Sequence, residues 1–171
     1  MTAKNDKSLR DFFESFNTSD SLIYGIGNIG REDDGLGWAF VDWIEESAIC
    51  PEAELVRSYQ LHLEDADLIS YKKRVLFIDA SKKEDIESFY LSKVKAKMDF
   101  TFTSHAISVQ SVMAICKQCF TSTPAVYLLE IRGYQWELSV GLSAKANKNL
   151  EEVLEYFALT QIFYKEGEYD G

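Results

Sequence analysis

Three short apolar runs constrain the fold of this chain more than anything else in it. They are Ser21-Leu-Ile-Tyr-Gly25, Arg74-Val-Leu-Phe-Ile-Asp79 and Ala125-Val-Tyr-Leu-Leu-Glu-Ile131. A strand that is apolar on both faces must be covered on both, which is the condition of a parallel sheet between two helical layers. The stretches between these runs supply the helices. Leu36, Ala39, Phe40, Trp43 and Ile44 have helical spacing over residues 36–47, residues 63–71 form a short helix, and the segment from Ile107 to Phe120 forms a third. Ser143 caps a long last helix that carries Leu150, Val153, Leu154, Phe157 and Ile162 on one side. Residues 53–59 form a further strand. Residues 88–97 read as an edge strand, with Lys93, Lys95 and Lys97 guarding it. The expected class is α/β: a three-layer, mostly parallel twisted sheet with helices on both faces.

One domain is expected over residues 21–164, between an N-terminal extension of residues 1–20 and a tail of residues 165–171. The extension holds one amphipathic piece around Leu9, Phe12, Phe13 and Phe16, which suits a short helix laid on the domain. The 171 residues are 46% hydrophobic, which excludes wholesale disorder, and carry a formal net charge of −10. That balance argues against a nucleic-acid or anionic-membrane surface, since both need clustered positive charge. No apolar run approaches the roughly 20 residues of a membrane span. The start MTAKNDKSLRDFFESF has no apolar signal-peptide core, and Cys50, Cys116 and Cys119 are too sparse for a disulfide framework. The expectation is a cytoplasmic protein with reduced thiols.

The chemistry concentrates after the first strand, in Gly25-Ile-Gly27-Asn28-Ile-Gly30-Arg-Glu-Asp33-Asp34-Gly35-Leu-Gly37. Gly25, Gly27 and Gly30 satisfy the G-x-G-x-x-G pattern of dinucleotide sites, and Glu52 and Glu54 near the second strand are possible ribose partners. Against that reading, Glu32, Asp33 and Asp34 place three carboxylates where a pyrophosphate would lie. A purely structural reading has the glycines turning the chain and Asp33 or Asp34 capping the helix. A third reading is cation binding. Strand C-terminal ends line one edge of a parallel sheet, where ligand sites gather. Asp79 ends its strand there, and His105 precedes a helix at the same edge. One loop aspartate with Asp79 and His105 makes an oxygen, oxygen, nitrogen set suited to nickel or zinc.

These residues in this order resemble the hydrogenase maturation proteases, which trim the C-terminal extension from the large subunit of nickel–iron hydrogenases. The opening motif Gly25-Ile-Gly27-Asn28-x4-Asp33-Asp34-Gly35-x-Gly37 carries the resemblance first. Tyr59-Gln60-Leu61-His62, Val75-Leu-Phe-Ile-Asp79-Ala80, Ser104-His105-Ala-Ile-Ser, Ile131-x-Gly133 and Leu142-Ser143 follow in family order, over roughly residues 22 to 160. Ile29-Gly30 in place of Pro-Leu, and Ser81-Lys82-Lys83 after Asp79-Ala80, depart from the pattern.

The resemblance implies a phosphorylase/hydrolase-like fold and an endopeptidase acting after nickel insertion. It implies a metal-binding trio of Asp34, Asp79 and His105, with the nickel supplied by the substrate and no tightly bound cofactor. Asp34 or Asp33 is then the catalytic proton acceptor, and Gly25, Gly27, Asn28 and Gly35 contact the peptide or its oxyanion. Metal-assisted water attack and a proton-sharing aspartic pair both remain open. The implied partner is the nickel-loaded large-subunit precursor, met by a monomer. The two readings from other classes are a nucleotide-binding α/β protein and a non-catalytic hydrogenase-assembly adaptor.

The remaining candidates have plain readings. His62 suits a surface loop, and Cys116-x-x-Cys119 lacks a second pair and reads as buried structural thiols. Trp38, Phe40 and Trp43 pack at the core or its rim, whereas Trp136 and Tyr134 lie on an exposed turn.

Overall fold

The computed structural model describes Phe12, residues 15–98 and residues 107–167, with side chains described through Tyr156. Five strands form one sheet. In chain order they are β1 (Ser21–Ile26), β2 (Glu54–Ser58), β3 (Arg74–Ser81), β4 (Phe89–Lys93) and β5 (Ala125–Arg132). Among the described residues four α-helices accompany them: α1 (Leu36–Ser47), α2 (Asp65–Ser70), α3 (Val109–Cys119) and α4 (Ala144–Gly167). The spatial order is β2-β1-β3-β5-β4, parallel throughout except for β4, which runs antiparallel to β5 at the edge.

The doubly apolar strands behave as their composition requires. Every residue of β1 is buried. Ile23, Leu76 and Leu129 face α1 and α4, packing with Phe40, Ile44, Leu150 and Val153. The alternate residues Leu22, Tyr24, Phe77 and Val126 face α2 and α3, packing with Ile69, Val112 and Cys116. Two cores on either side of one sheet make the three layers.

The expected boundaries move slightly. The edge strand is shorter than residues 88–97, and Ser108 caps α3 by accepting from Ser111 N at 3.1 Å. α4 extends to Gly167, past the expected domain end. Phe16 is completely buried in the α1–α4 core, and Phe12 meets the Tyr127 ring edge-on at 4.5 Å, so the extension contributes to the domain. Leu9 and Phe13 lie outside the described residues.

The strand order creates a crevice. From β1 the chain turns outward to β2, whereas from β3 it proceeds to β4 and β5 on the opposite side. At such a switch point the connections diverge beyond the strand C-termini, and a ligand site opens between them. The segment leaving β1 carries the Gly-rich loop, and Asp79 lies near the C-terminal end of β3.

Candidate active site

The loop after β1 is folded back tightly. An added Cβ at Gly27, whose φ is +138°, would sit 1.9 Å from the Asp34 carbonyl oxygen, so only glycine fits. Asp34 closes the loop by accepting from Asn28 N at 3.0 Å through its carboxylate. Gly25 and Gly37 permit a second close approach: a Cβ on Gly25 would lie 2.4 Å from the Gly37 carbonyl, and one on Gly37 would lie 2.4 Å from Ile26 O and 2.5 Å from Ile78 O. The first turn of α1 is thereby pressed between β1 and β3. This is why glycines recur here, and it gives Gly25 a packing reason independent of any peptide contact. Gly35 is likewise buried, against Ile29.

The same packing argues against a pyrophosphate cradle. Gly27 N donates to Ser58 O at 3.0 Å, Asn28 N to Asp34, Gly30 N to the Asn28 side-chain oxygen at 2.8 Å, and Arg31 N to Asn28 O at 3.1 Å. These amides are already engaged, within the loop and on β2, so they form no open phosphate nest. Glu54, one of the two ribose candidates, pairs with Lys72 at 2.8 Å.

Asp34 and Asp79 line one cavity of about 410 Å³ at the switch point, together with Gly27, Tyr59, Gln60 and Glu130. Burial and the neighbouring Asp34 charge push the Asp79 carboxyl up to about 7, with Glu130 adding to the shift and the Ala80 N–H opposing it. The ionised cavity thus carries more negative charge than it compensates, which is the environment a cation relieves. The donor chemistry of Asp34 and Asp79 fits a divalent ion, though among the described residues no three His, Cys, Asp or Glu side chains converge on one point. His105 lies outside the described residues. Ile107, two residues further on, lines the cavity wall.

Asp33 has a different role from its neighbour. It is fully buried, and one carboxylate oxygen accepts from Tyr134 N at 2.7 Å, Gln135 N at 2.9 Å and the Ser143 hydroxyl at 2.8 Å. The other accepts from Ser143 N at 2.7 Å. Burial works against the charge, but the donors from Ser143, Tyr134 and Gln135 outweigh it and hold the carboxyl below its ordinary value. A carboxylate so saturated is a poor proton acceptor, which favours Asp34 over Asp33 for the catalytic role that the resemblance implies. It ties the loop to the start of α4 instead, where the Ser143 hydroxyl accepts from Ala146 N at 3.2 Å. Neither aspartate caps α1, whose N-cap is Gly35.

Two members of the site escaped the sequence reading. Glu130 pairs with Asp79 in the β3–β5 register, and its carboxylate accepts from Lys83 Nζ at 2.8 Å. A lone acid interrupting an apolar strand near its C-terminal end was the available signal. The Trp38 indole donates to Ser58 O at 3.1 Å and stacks near Tyr59 at 5.2 Å, which holds up one lip of the cavity. His62 is exposed. Trp136 is half-buried, with Lys82 over its ring at 4.8 Å, and is less open than expected. Cys116 is buried but Cys119 is exposed, so the pair is not a buried unit.

No family model matches the sequence, and no curated protein does. Solved structures match closely in shape. The [NiFe] hydrogenase maturation protease HycI of Thermococcus kodakarensis is 19% identical, with a TM-score of 0.70 over 90% of this chain and 98% of that one. The fold is that of the hydrogenase maturation proteases. The maturating endopeptidase HybD of Escherichia coli is 16% identical, with a TM-score of 0.61 over 79% of this chain and 87% of its own. The hydrogenase 2 maturation peptidase of a Thaumarchaeota archaeon is 17% identical, with a TM-score of 0.55 over 79% and 93% of the two chains. The hydrogenase maturation protease fold therefore spans almost the whole chain.

Proposed function

We propose that this protein is an endopeptidase that removes the C-terminal extension of a nickel–iron hydrogenase large subunit once nickel is in place. One observation carries the reading: Asp34, in the loop after β1, and Asp79, on the neighbouring strand β3, share the switch-point cavity in the fold of the maturation proteases. The nickel arrives with the substrate and is part of what is recognised. Asp34 and Asp79 supply oxygens toward it, and His105 a nitrogen. A divalent ion so placed polarises the scissile carbonyl and lowers the pKa of a bound water from 15.7 toward about 7. Asp34 accepts the proton of the attacking water. A single proton shared between Asp34 and Asp79 is the metal-free version of the same chemistry, and the raised Asp79 is consistent with it.

The test is intact-mass analysis of a large-subunit precursor incubated with the full chain, with and without nickel loading. Loss of a C-terminal peptide with wild type, and not with Asp34→Asn, is the expected result. Dependence of that loss on nickel selects the metal-assisted version. An unchanged mass with a correctly loaded precursor refutes the peptidase reading.

A further inference from the structure

Most polar side chains on the walls of the switch-point cavity are engaged within the chain. Asp34 accepts from Asn28 N, and Glu130 from Lys83 Nζ. The Ser108 hydroxyl accepts from Ser111 N at 3.1 Å and donates to Ser111 Oγ at 2.9 Å. Tyr59 belongs to the rim, where it is 60% exposed with its ring against Trp38. Gln60 and Gln110 are different. Both are half-buried on the cavity wall, and among the described residues neither side-chain carboxamide has a hydrogen-bond partner.

The backbone beneath each glutamine is held. The Gln60 carbonyl accepts from the Ser58 hydroxyl at 2.9 Å, and two residues further on His62 N donates to the Asp65 carboxylate at 2.7 Å. Asp65 is buried and accepts from the Tyr24 hydroxyl at 3.1 Å, which ties the loop after β2 to β1. Gln110 lies in the first turn of α3, behind the Ser108 cap, and its carbonyl accepts from Lys97 N at 3.3 Å. Two fixed points of the wall therefore each carry an unused donor and an unused acceptor, which water or a ligand must satisfy.

We propose that Gln60 and Gln110 hold the main chain of the substrate's extended segment, each carboxamide donating to a peptide carbonyl and accepting from a peptide N–H. The proposal rests on the peptidase reading for the ligand being a peptide, and it names what holds that peptide in the cleft. The match is chemical. A carboxamide presents the same donor and acceptor as a peptide group. The pair is also neutral, so it binds a neutral main chain on walls where Asp34, Asp79 and Glu130 favour cations. The cavity volume of about 410 Å³ admits a short stretch of extended chain, which advances about 3.4 Å per residue. Because the two glutamines come from different elements, they hold that stretch at two points and orient it against the acids. Such a grip is indifferent to the side chains that pass it, and leaves their selection to the rest of the cleft.

The test is an NMR titration of the labelled full chain with acetyl-triglycine amide and with its trisarcosine counterpart, which keeps the carbonyls and replaces each glycine N–H by N-methyl. Saturable shifts of the Gln60 and Gln110 side-chain NH₂ signals are expected, with binding at least about fivefold weaker for the sarcosine peptide. Gln60→Leu and Gln110→Leu should each weaken triglycine-amide binding several-fold and raise KM for precursor cleavage more than they lower kcat. Both variants should keep the wild-type urea midpoint, because no bond within the chain is lost. Equal binding of the two peptides, carboxamide signals that do not move, or Leu variants that bind like wild type would overturn the proposal. So would a lowered midpoint in both variants, which would show the carboxamides held within the chain. Precursor cleavage with silent carboxamide signals removes the grip alone. Triglycine-amide binding at both glutamines without precursor cleavage removes the peptidase reading and leaves a peptide-binding cleft.

Discussion

Replacing Asp33 by asparagine removes the clasp while leaving Asp34, the residue proposed to react, in place. The variant keeps the size of the side chain but exchanges one oxygen for an NH₂ group. The oxygen that accepts from Tyr134 N, Gln135 N and the Ser143 hydroxyl is the better one to retain, so the NH₂ then faces Ser143 N, which donates at 2.7 Å in the wild type. One charge-assisted bond is lost, at about 1.5–3 kcal/mol, and a buried N–H is left without an acceptor, at about 1–3 kcal/mol. The sum centres on about 4 kcal/mol, and in a chain of this size it lowers Tm by about 8–16 °C. Urea unfolding at pH 7, with an unchanged m-value, is the assay.

The acid limb is a second check. The folded carboxyl lies below its ordinary value of 3.8, so its contribution is complete above that pH and disappears as pH falls through the folded value. The wild type and Asp33→Asn should therefore converge in stability only below about pH 4. A loss under about 1 kcal/mol at pH 7 would refute the clasp, being less than one such bond. So would an Asp33→Asn protein of wild-type stability that no longer cleaves precursor.

Three further outcomes are expected. Asp79, at about 7 in the folded chain, resists ionisation, so the wild type loses stability as pH rises from about 4 to 7 and stays lower above that. Asp79→Asn should be more stable than wild type at pH 8 by about 2 kcal/mol, the roughly 4 kcal/mol of a three-unit shift halved for partial exposure, and no different at pH 3; thermal melts across that range decide it. Gly37→Ala places a methyl 2.4–2.5 Å from two strand carbonyls and should cost about 3 kcal/mol or more in urea unfolding, and an unaffected midpoint would contradict the close packing of α1. In the native protein a thiol reagent should label Cys119 rapidly, with Cys50 and Cys116 reacting only after unfolding; burial pushes the Cys50 thiol up to about 12, and rapid native labelling of Cys50 would contradict its placement.

The local pattern of this chain was enough for its layers and for the acids at its sheet edge. A run such as Val75-Leu-Phe-Ile is stable only with helices on both sides, and an acid that ends such a run must emerge at the ligand edge. The clustering of Asp33, Asp34 and the glycines marked the loop for the same reason. Which of two adjacent acids is tied into the structure was not legible there, because it depends on donors about a hundred residues away, at Tyr134, Gln135 and Ser143. The purpose of Gly25 and Gly37 was equally hidden, since Gly25 is required by the backbone of Gly37, and Gly37 by the strand carbonyls of Ile26 and Ile78. Glu130 and Lys83 joined the site through the β3–β5 register and a long-range ion pair, neither of which leaves a mark at short sequence spacing. Periodicity along the chain decides which faces are buried, and so it determines the architecture. Hydrogen bonds and charge pairs between distant segments decide what each polar group in the site can do, and only the folded chain brings those segments together.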